Sequence, residues 1–199
     1  MNTPNKLTTI RIIMAPIFMA ILLIDRIPHN YLIALVFFII ASITDLIDGR
    51  LARKNHQVTT YGKFLDPVAD KILVLSALMG FVQLDITSAW VPLIVVTREF
   101  IVTSVRLLAS AEGNVIAANI WGKIKTVVQL VAIIAIIAFK AIREILVCID
   151  ISVITDILYW YDAIIPVVSK VFLWVSVVMT AWSGIIYVWQ NRKYINTTK

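Results

Sequence analysis

The chain has 199 residues, of which 60% are hydrophobic and 15% charged, with a mean hydropathy of +0.91 and a net charge of +6. Soluble domains run near half apolar and a quarter charged, so this composition excludes an ordinary soluble enzyme and points to a membrane protein. The basic residues are scattered over many segments, which argues against a nucleic-acid-binding element, and the single cysteine, Cys148, excludes an intrachain disulfide.

Six apolar stretches of membrane-crossing length are predicted as helices, roughly at 8–25, 29–52, 61–84, 89–110, 120–141 and 164–190. A bilayer core of about 30 Å needs about 20 helical residues. The first stretch has the basic start and apolar run of a signal peptide, but further spans follow it instead of a cleavage site and a soluble domain. Pro92 and Pro166 are expected in or near first turns, where a missing N–H costs little. Residues 142–163, "IREILVCIDISVITDILYWYDA", are amphiphilic and aromatic and are expected to lie at the membrane interface. No repeat or linker interrupts the chain, so residues 1–199 read as a single all-α integral membrane domain.

Charge gives the orientation. With the N-terminus inside, fourteen Lys and Arg fall toward the cytoplasm, and only Arg26, Lys140, Arg143 and Lys170 fall on the other side. That bias predicts a multi-pass protein of the cell membrane with its basic ends in the cytoplasm. The sided charge suits anionic lipid headgroups and anionic substrates.

The junction of the second and third spans carries the chemistry. Its sequence is "SITDLIDGRLARKNHQVTTYGKFLDPVADKILV", residues 42–74. At 100° per residue, Asp45, Asp48, Gly49 and Ala52 form one narrow stripe, and Gly62, Asp66 and Asp70 form another. Neighbouring helices can turn these stripes toward each other, which brings four carboxylates into one small volume near the cytoplasmic surface. Carboxylates so crowded share protons or bind cations. Hard oxygen donors favour Mg²⁺, Mn²⁺ or Ca²⁺, and a site for two divalent ions is expected. Gly49, Ala52 and Gly62 leave space beside the acids, and Arg53 can hold a phosphate by paired N–H bonds. Carboxylate-held metals, an open cleft and an arginine are the requirements of phosphoryl transfer. A cation transporter is the rival reading, since intramembrane acids also mark ion paths. Transporter sites, however, lie near the midplane in repeated halves, and neither feature is present in the sequence.

At these residues the sequence resembles the CDP-alcohol phosphotransferase family, whose signature is D-x2-D-G-x2-A-R-x(7–8)-G-x3-D-x3-D. Asp45, Asp48, Gly49, Ala52, Arg53, Gly62, Asp66 and Asp70 match every signature position. Further similarity, to a branch that uses a phosphorylated acceptor, runs through 5–12, 61–74, 97–109 and 113–129. The resemblance implies six transmembrane helices, a homodimer and a site open to the cytoplasm. It implies Mg²⁺ or Mn²⁺ held by Asp45, Asp48, Asp66 and Asp70, with Asp70 as general base. The nucleotide pocket would be lined by Asp48, Gly49, Ala52, Arg53 and Gly62, bordered by Asn5, Thr8 and Arg11. The implied donor is CDP-diacylglycerol and the implied acceptor sn-glycerol 3-phosphate. Serine, inositol phosphate or phosphatidylglycerol are the acceptors of sister enzymes.

A phosphorylated acceptor needs cations that the donor does not occupy. Arg98, Arg106, Lys123 and Lys125, on spans four and five toward the cytoplasm, are the candidates. Glu99, Thr103 and Arg106 share one helical face, and a structural Glu99–Arg106 pair is the alternative use of that arginine. Lys71 lies about 180° from the Gly62–Asp66 face and is expected to snorkel.

Overall fold

In hydrocarbon, every backbone N–H and C=O must find its partner within its own segment, and the apolar runs meet that demand as α-helices. The computed structural model describes the backbone of residues 3–54, 60–114, 116, 119–148 and 154–194, and the side chains of 9–44, 71–114, 116, 119–148, 157–192 and 194. Its helices are α1 (Thr3–Leu23), α2 (Asn30–Lys54), α3 (Thr60–Gln83), α4 (Trp90–Ala111), α5 (Ile120–Val147) and α6 (Ile154–Gln190), followed by a 3-10 turn at Arg192–Tyr194. No strand occurs among the described residues.

The helices pack in a ring whose spatial order differs from the chain order. α1 packs against both α2 and α3, α2 continues to α5, α5 to α6, and α6 to α4, with a lighter α3–α4 contact closing the circuit. Among the described residues α2 and α3 touch only lightly, because α1 lies between them. Phe18 of α1 meets Phe38 of α2 with ring centroids 5.3 Å apart. On the other flank, a methyl group placed on Gly80 of α3 would lie 2.8 Å from Leu22 of α1, so glycine is what allows that approach. Phe18, Leu22, Phe38, Leu78, Phe81 and Ile133 are fully buried at the centre of the core.

Hydroxyls inside the helices bond to backbone carbonyls near them in sequence: Ser42 to Phe38, Ser76 to Ile72, and Thr180 to Ser176. Ser169, Ser176, Thr180 and Ser183 are buried along α6, a small polar stripe of the kind that lets membrane helices approach closely. Outward, Phe100, Val131, Val171, Val178 and Ile185 are exposed. An apolar surface this continuous is suited to lipid.

Within the described residues one stretch, Ile157–Gln190, is by itself long and apolar enough to cross a membrane. Thr9–Leu23, Asn30–Thr44 and Lys71–Gln83 are shorter apolar segments. Two expectations are corrected. Residues 142–163 do not form one separate element, since α5 runs to Val147 and α6 starts at Ile154. Arg143 and Asp162 tie these helix ends together at 2.8 Å, and the Tyr161 hydroxyl donates to the Phe139 carbonyl at 2.5 Å. Pro166 accordingly lies inside α6 and not in its first turn.

Candidate active site

The signature residues fall in the last turns of one helix and the first half of the next: Asp45, Asp48, Gly49, Ala52 and Arg53 in α2, and Gly62, Asp66 and Asp70 in α3. Asn5 and Thr8 fall in the first turns of α1. The side chains of all of these lie outside the described residues, so the expected convergence of carboxylates and the nucleotide contacts do too. Among the described residues no three His, Cys, Asp or Glu side chains form a metal-binding group. The donor set written into the two helix ends, four carboxylates and no thiol or imidazole, fits a hard divalent cation.

The described part of the site begins at the residue after Asp70. Lys71 of α3 turns toward α4, where its ammonium lies 3.6 Å from Glu99 Oε2 and donates to Thr103 Oγ1 at 3.4 Å. Pairing replaces the snorkelling expected for this lysine. Arg98 Nη1 and Lys125 Nζ, from α4 and α5, each donate to Glu99 Oε1 at 2.8 Å. Three cations from three helices therefore meet one carboxylate. The Lys125 side chain is 6% exposed, Arg98 11% and Glu99 19%, whereas Lys71 reaches 35%. Among the described residues, this cluster sets one acid against three bases. Along the axis of α3, Lys71 stands one residue, about 1.5 Å, beyond Asp70 and five residues, about 7.5 Å, beyond Asp66.

The structure thus brings together two of the four expected acceptor cations, Arg98 and Lys125, and separates the other two. Arg106 bonds through Nε to the Tyr187 hydroxyl at 3.2 Å, with its guanidinium 5.6 Å from that ring's centroid, so it ties α4 to α6. No Glu99–Arg106 pair forms. Lys123 is exposed, about 200° round α5 from buried Lys125. Arg11 is buried on α1, and Gln129 is buried one turn beyond Lys125. Sequence reasoning passed over Glu99 and Lys71 as site residues. The available signal was that Glu99 is the only acid in α4, since a lone acid in an apolar helix needs a cationic partner.

A separate groove of about 620 Å³ runs between α4 and α6, lined by Trp90, Leu93, Ile101, Ile185 and Trp189 with Arg98 at its wall and Arg192 at one end. Its walls suit hydrocarbon, whereas the Glu99 cluster suits an anion. Gly184 makes the α4–α6 approach possible, because a methyl group there would lie 2.8 Å from Arg98 Cγ.

The chain belongs to the CDP-alcohol phosphatidyltransferase family, whose profile matches residues 1–182. Its relatives include the CDP-diacylglycerol–glycerol-3-phosphate 3-phosphatidyltransferase of Bacillus subtilis, 39% identical over 99% of this chain and 98% of that protein. The enzyme of the same name from Haemophilus influenzae is 32% identical over 94% of this chain and 91% of its own length. A probable phosphatidylglycerophosphate synthase of Mycobacterium tuberculosis is 42% identical over 66% of this chain and 64% of its own. Family membership favours an enzyme over a cation transporter.

Proposed function

We propose that this protein transfers a phosphatidyl group from CDP-diacylglycerol to sn-glycerol 3-phosphate, giving phosphatidylglycerol phosphate and CMP. Full-length similarity to enzymes of that name supports the reaction class and the donor. The observation that carries the acceptor is the Lys71–Arg98–Lys125 cluster, which starts one residue past Asp70 and in which, among the described residues, three cations face one carboxylate. A neutral acceptor has no use for them, whereas a phosphomonoester carries about −1.5 to −2 at pH 7.

The protein works as one membrane-embedded unit of six spanning helices, as a homodimer, with the signature face toward the cytoplasm. Members of the family are membrane enzymes that use a divalent metal. Asp45, Asp48, Asp66 and Asp70 would hold two Mg²⁺ or Mn²⁺ ions. Once bound, these supply charge neutralisation for the donor pyrophosphate and the departing CMP. Arg53 binds donor phosphate, and Gly49, Ala52 and Gly62, with Asn5 and Thr8 at the border, leave room for the nucleotide. Lys125 and Arg98 hold the acceptor phosphate, with Lys123 and Arg106 as outer cations that attract it. Asp70 accepts the proton of the acceptor's primary hydroxyl as its oxygen attacks the lipid-bearing phosphorus. The bond from that phosphorus to CMP breaks, and CMP leaves with the electron pair.

The test is CMP release by purified protein given CDP-diacylglycerol, Mg²⁺ or Mn²⁺, and one acceptor at a time. Turnover with sn-glycerol 3-phosphate at least tenfold above serine, inositol phosphate and phosphatidylglycerol is expected. Preference for one of those three rejects the acceptor assignment, and metal-independent release rejects the chemistry.

A further inference from the structure

We propose that Glu99 is a positioning residue that sets the spacing of the cations in the acceptor-phosphate site before a phosphomonoester binds. This deepens the reading above and rests on it. Glu99 is the only acid in α4, and its two oxygens gather cations that no local sequence spacing could bring together. Lys71 comes from α3, Arg98 from the preceding position on α4, and Lys125 from α5. Arg98 and Lys125 share the single atom Oε1, each at 2.8 Å. Two positive groups held so near one point repel each other strongly unless a negative charge sits between them. The carboxylate is therefore what allows the cations to stand at phosphate-binding distance from one another before any substrate arrives. This is preorganisation, which lowers the ordering cost of binding.

Without Glu99, mutual repulsion and the long stems of Lys71 and Lys125 would carry their ammonium groups apart toward water. A cation that has moved away no longer touches the phosphate.

The experiment measures KM for sn-glycerol 3-phosphate, KM for CDP-diacylglycerol, and kcat, in the purified full-length protein. Glu99→Gln is expected to raise the acceptor KM about tenfold or more, as for loss of charge-assisted contacts, while donor KM and kcat stay within about threefold. Glu99→Asp, one methylene shorter, is expected to fall between Gln and wild type. The double variant Glu99→Gln with Lys71→Met removes one of the mutually repelling cations, so Arg98 and Lys125 stay closer together and part of the acceptor affinity lost in the single variant is expected to return. A merely structural carboxylate gives no such recovery. If the single variant does not accumulate, Glu99→Asp and the double variant carry the test, and an acceptor KM within twofold of wild type in both overturns the proposal. An unchanged acceptor KM in folded Glu99→Gln, or equal losses for donor and acceptor, also overturns it. Wild-type protein that releases no CMP on addition of sn-glycerol 3-phosphate rejects the functional reading itself, a different result from all of these.

Discussion

Replacing Lys125 with methionine removes one charge from the cation cluster while keeping most of the side-chain volume, so the cavity and overpacking costs of a size change are small. The ammonium is 2.8 Å from Glu99 Oε1 on a side chain that is 6% exposed. A hydrogen bond between charged partners contributes about 1.5–3 kcal/mol. Glu99 keeps Arg98 at 2.8 Å and Lys71 at 3.6 Å, so its charge is not orphaned. The cost to the fold therefore stays below the roughly 3–5 kcal/mol of breaking an isolated buried pair. For a chain of this size, the melting midpoint should fall by roughly 3–12 °C. If the same ammonium holds the acceptor phosphate, its loss raises the KM for sn-glycerol 3-phosphate about 10- to 100-fold, at about 1.4 kcal/mol per decade. CMP release is followed while the acceptor is varied at saturating CDP-diacylglycerol. An acceptor KM within twofold of wild type, alongside the expected loss of thermal stability, would show that Lys125 only braces the helices. An equal rise in donor KM would place the cluster on the nucleotide side.

Gly184→Ala puts a methyl group 2.8 Å from Arg98 Cγ, so Arg98 must change rotamer or the helices must part; overpacking of about 1–3 kcal/mol and a several-fold higher acceptor KM are expected, read by thermal shift and steady-state kinetics. Asp70→Asn is expected to lower kcat at least about 100-fold, within the range contributed by a general base; near-normal turnover with metal still bound would remove Asp70 from that role. Chelation of divalent ions should abolish CMP release, with activity returning on addition of Mg²⁺ or Mn²⁺. Arg143→Ala breaks the ion pair with Asp162, both half-exposed at 46%, and should cost less than about 1 kcal/mol and leave all kinetic constants unchanged.

The helices were legible because hydropathy and length are local properties, and four of the six expected spans agree with observed helices to within about five residues at each end. The exception is the stretch from 142 to 163, where aromatic and charged residues resemble an interface in sequence. In the structure they extend two helices, because Arg143 and Tyr161 bond across the α5–α6 seam. The aspartate motif was legible from i+3 and i+4 spacing alone. The cation cluster was not, because its members lie on three helices and depend on which helices are neighbours. Helical geometry gave the direction of Lys71 relative to the acidic stripe, yet could not reveal Glu99 waiting on that side. Likewise nothing in the spacing of Lys123 and Lys125 says which of the two faces the bundle.

The insertion of α1 between α2 and α3 makes the first helix a spacer. Its side chains set how far apart the two acid-bearing rods diverge from the short connection that joins them. Trimming Phe18 or Leu22, which pack against α2 and α3, would let those rods lean inward and narrow the space between them. The width between the two signature-bearing helices is thus governed from the opposite end of the bundle, by the girth of a helix that carries none of the four signature aspartates.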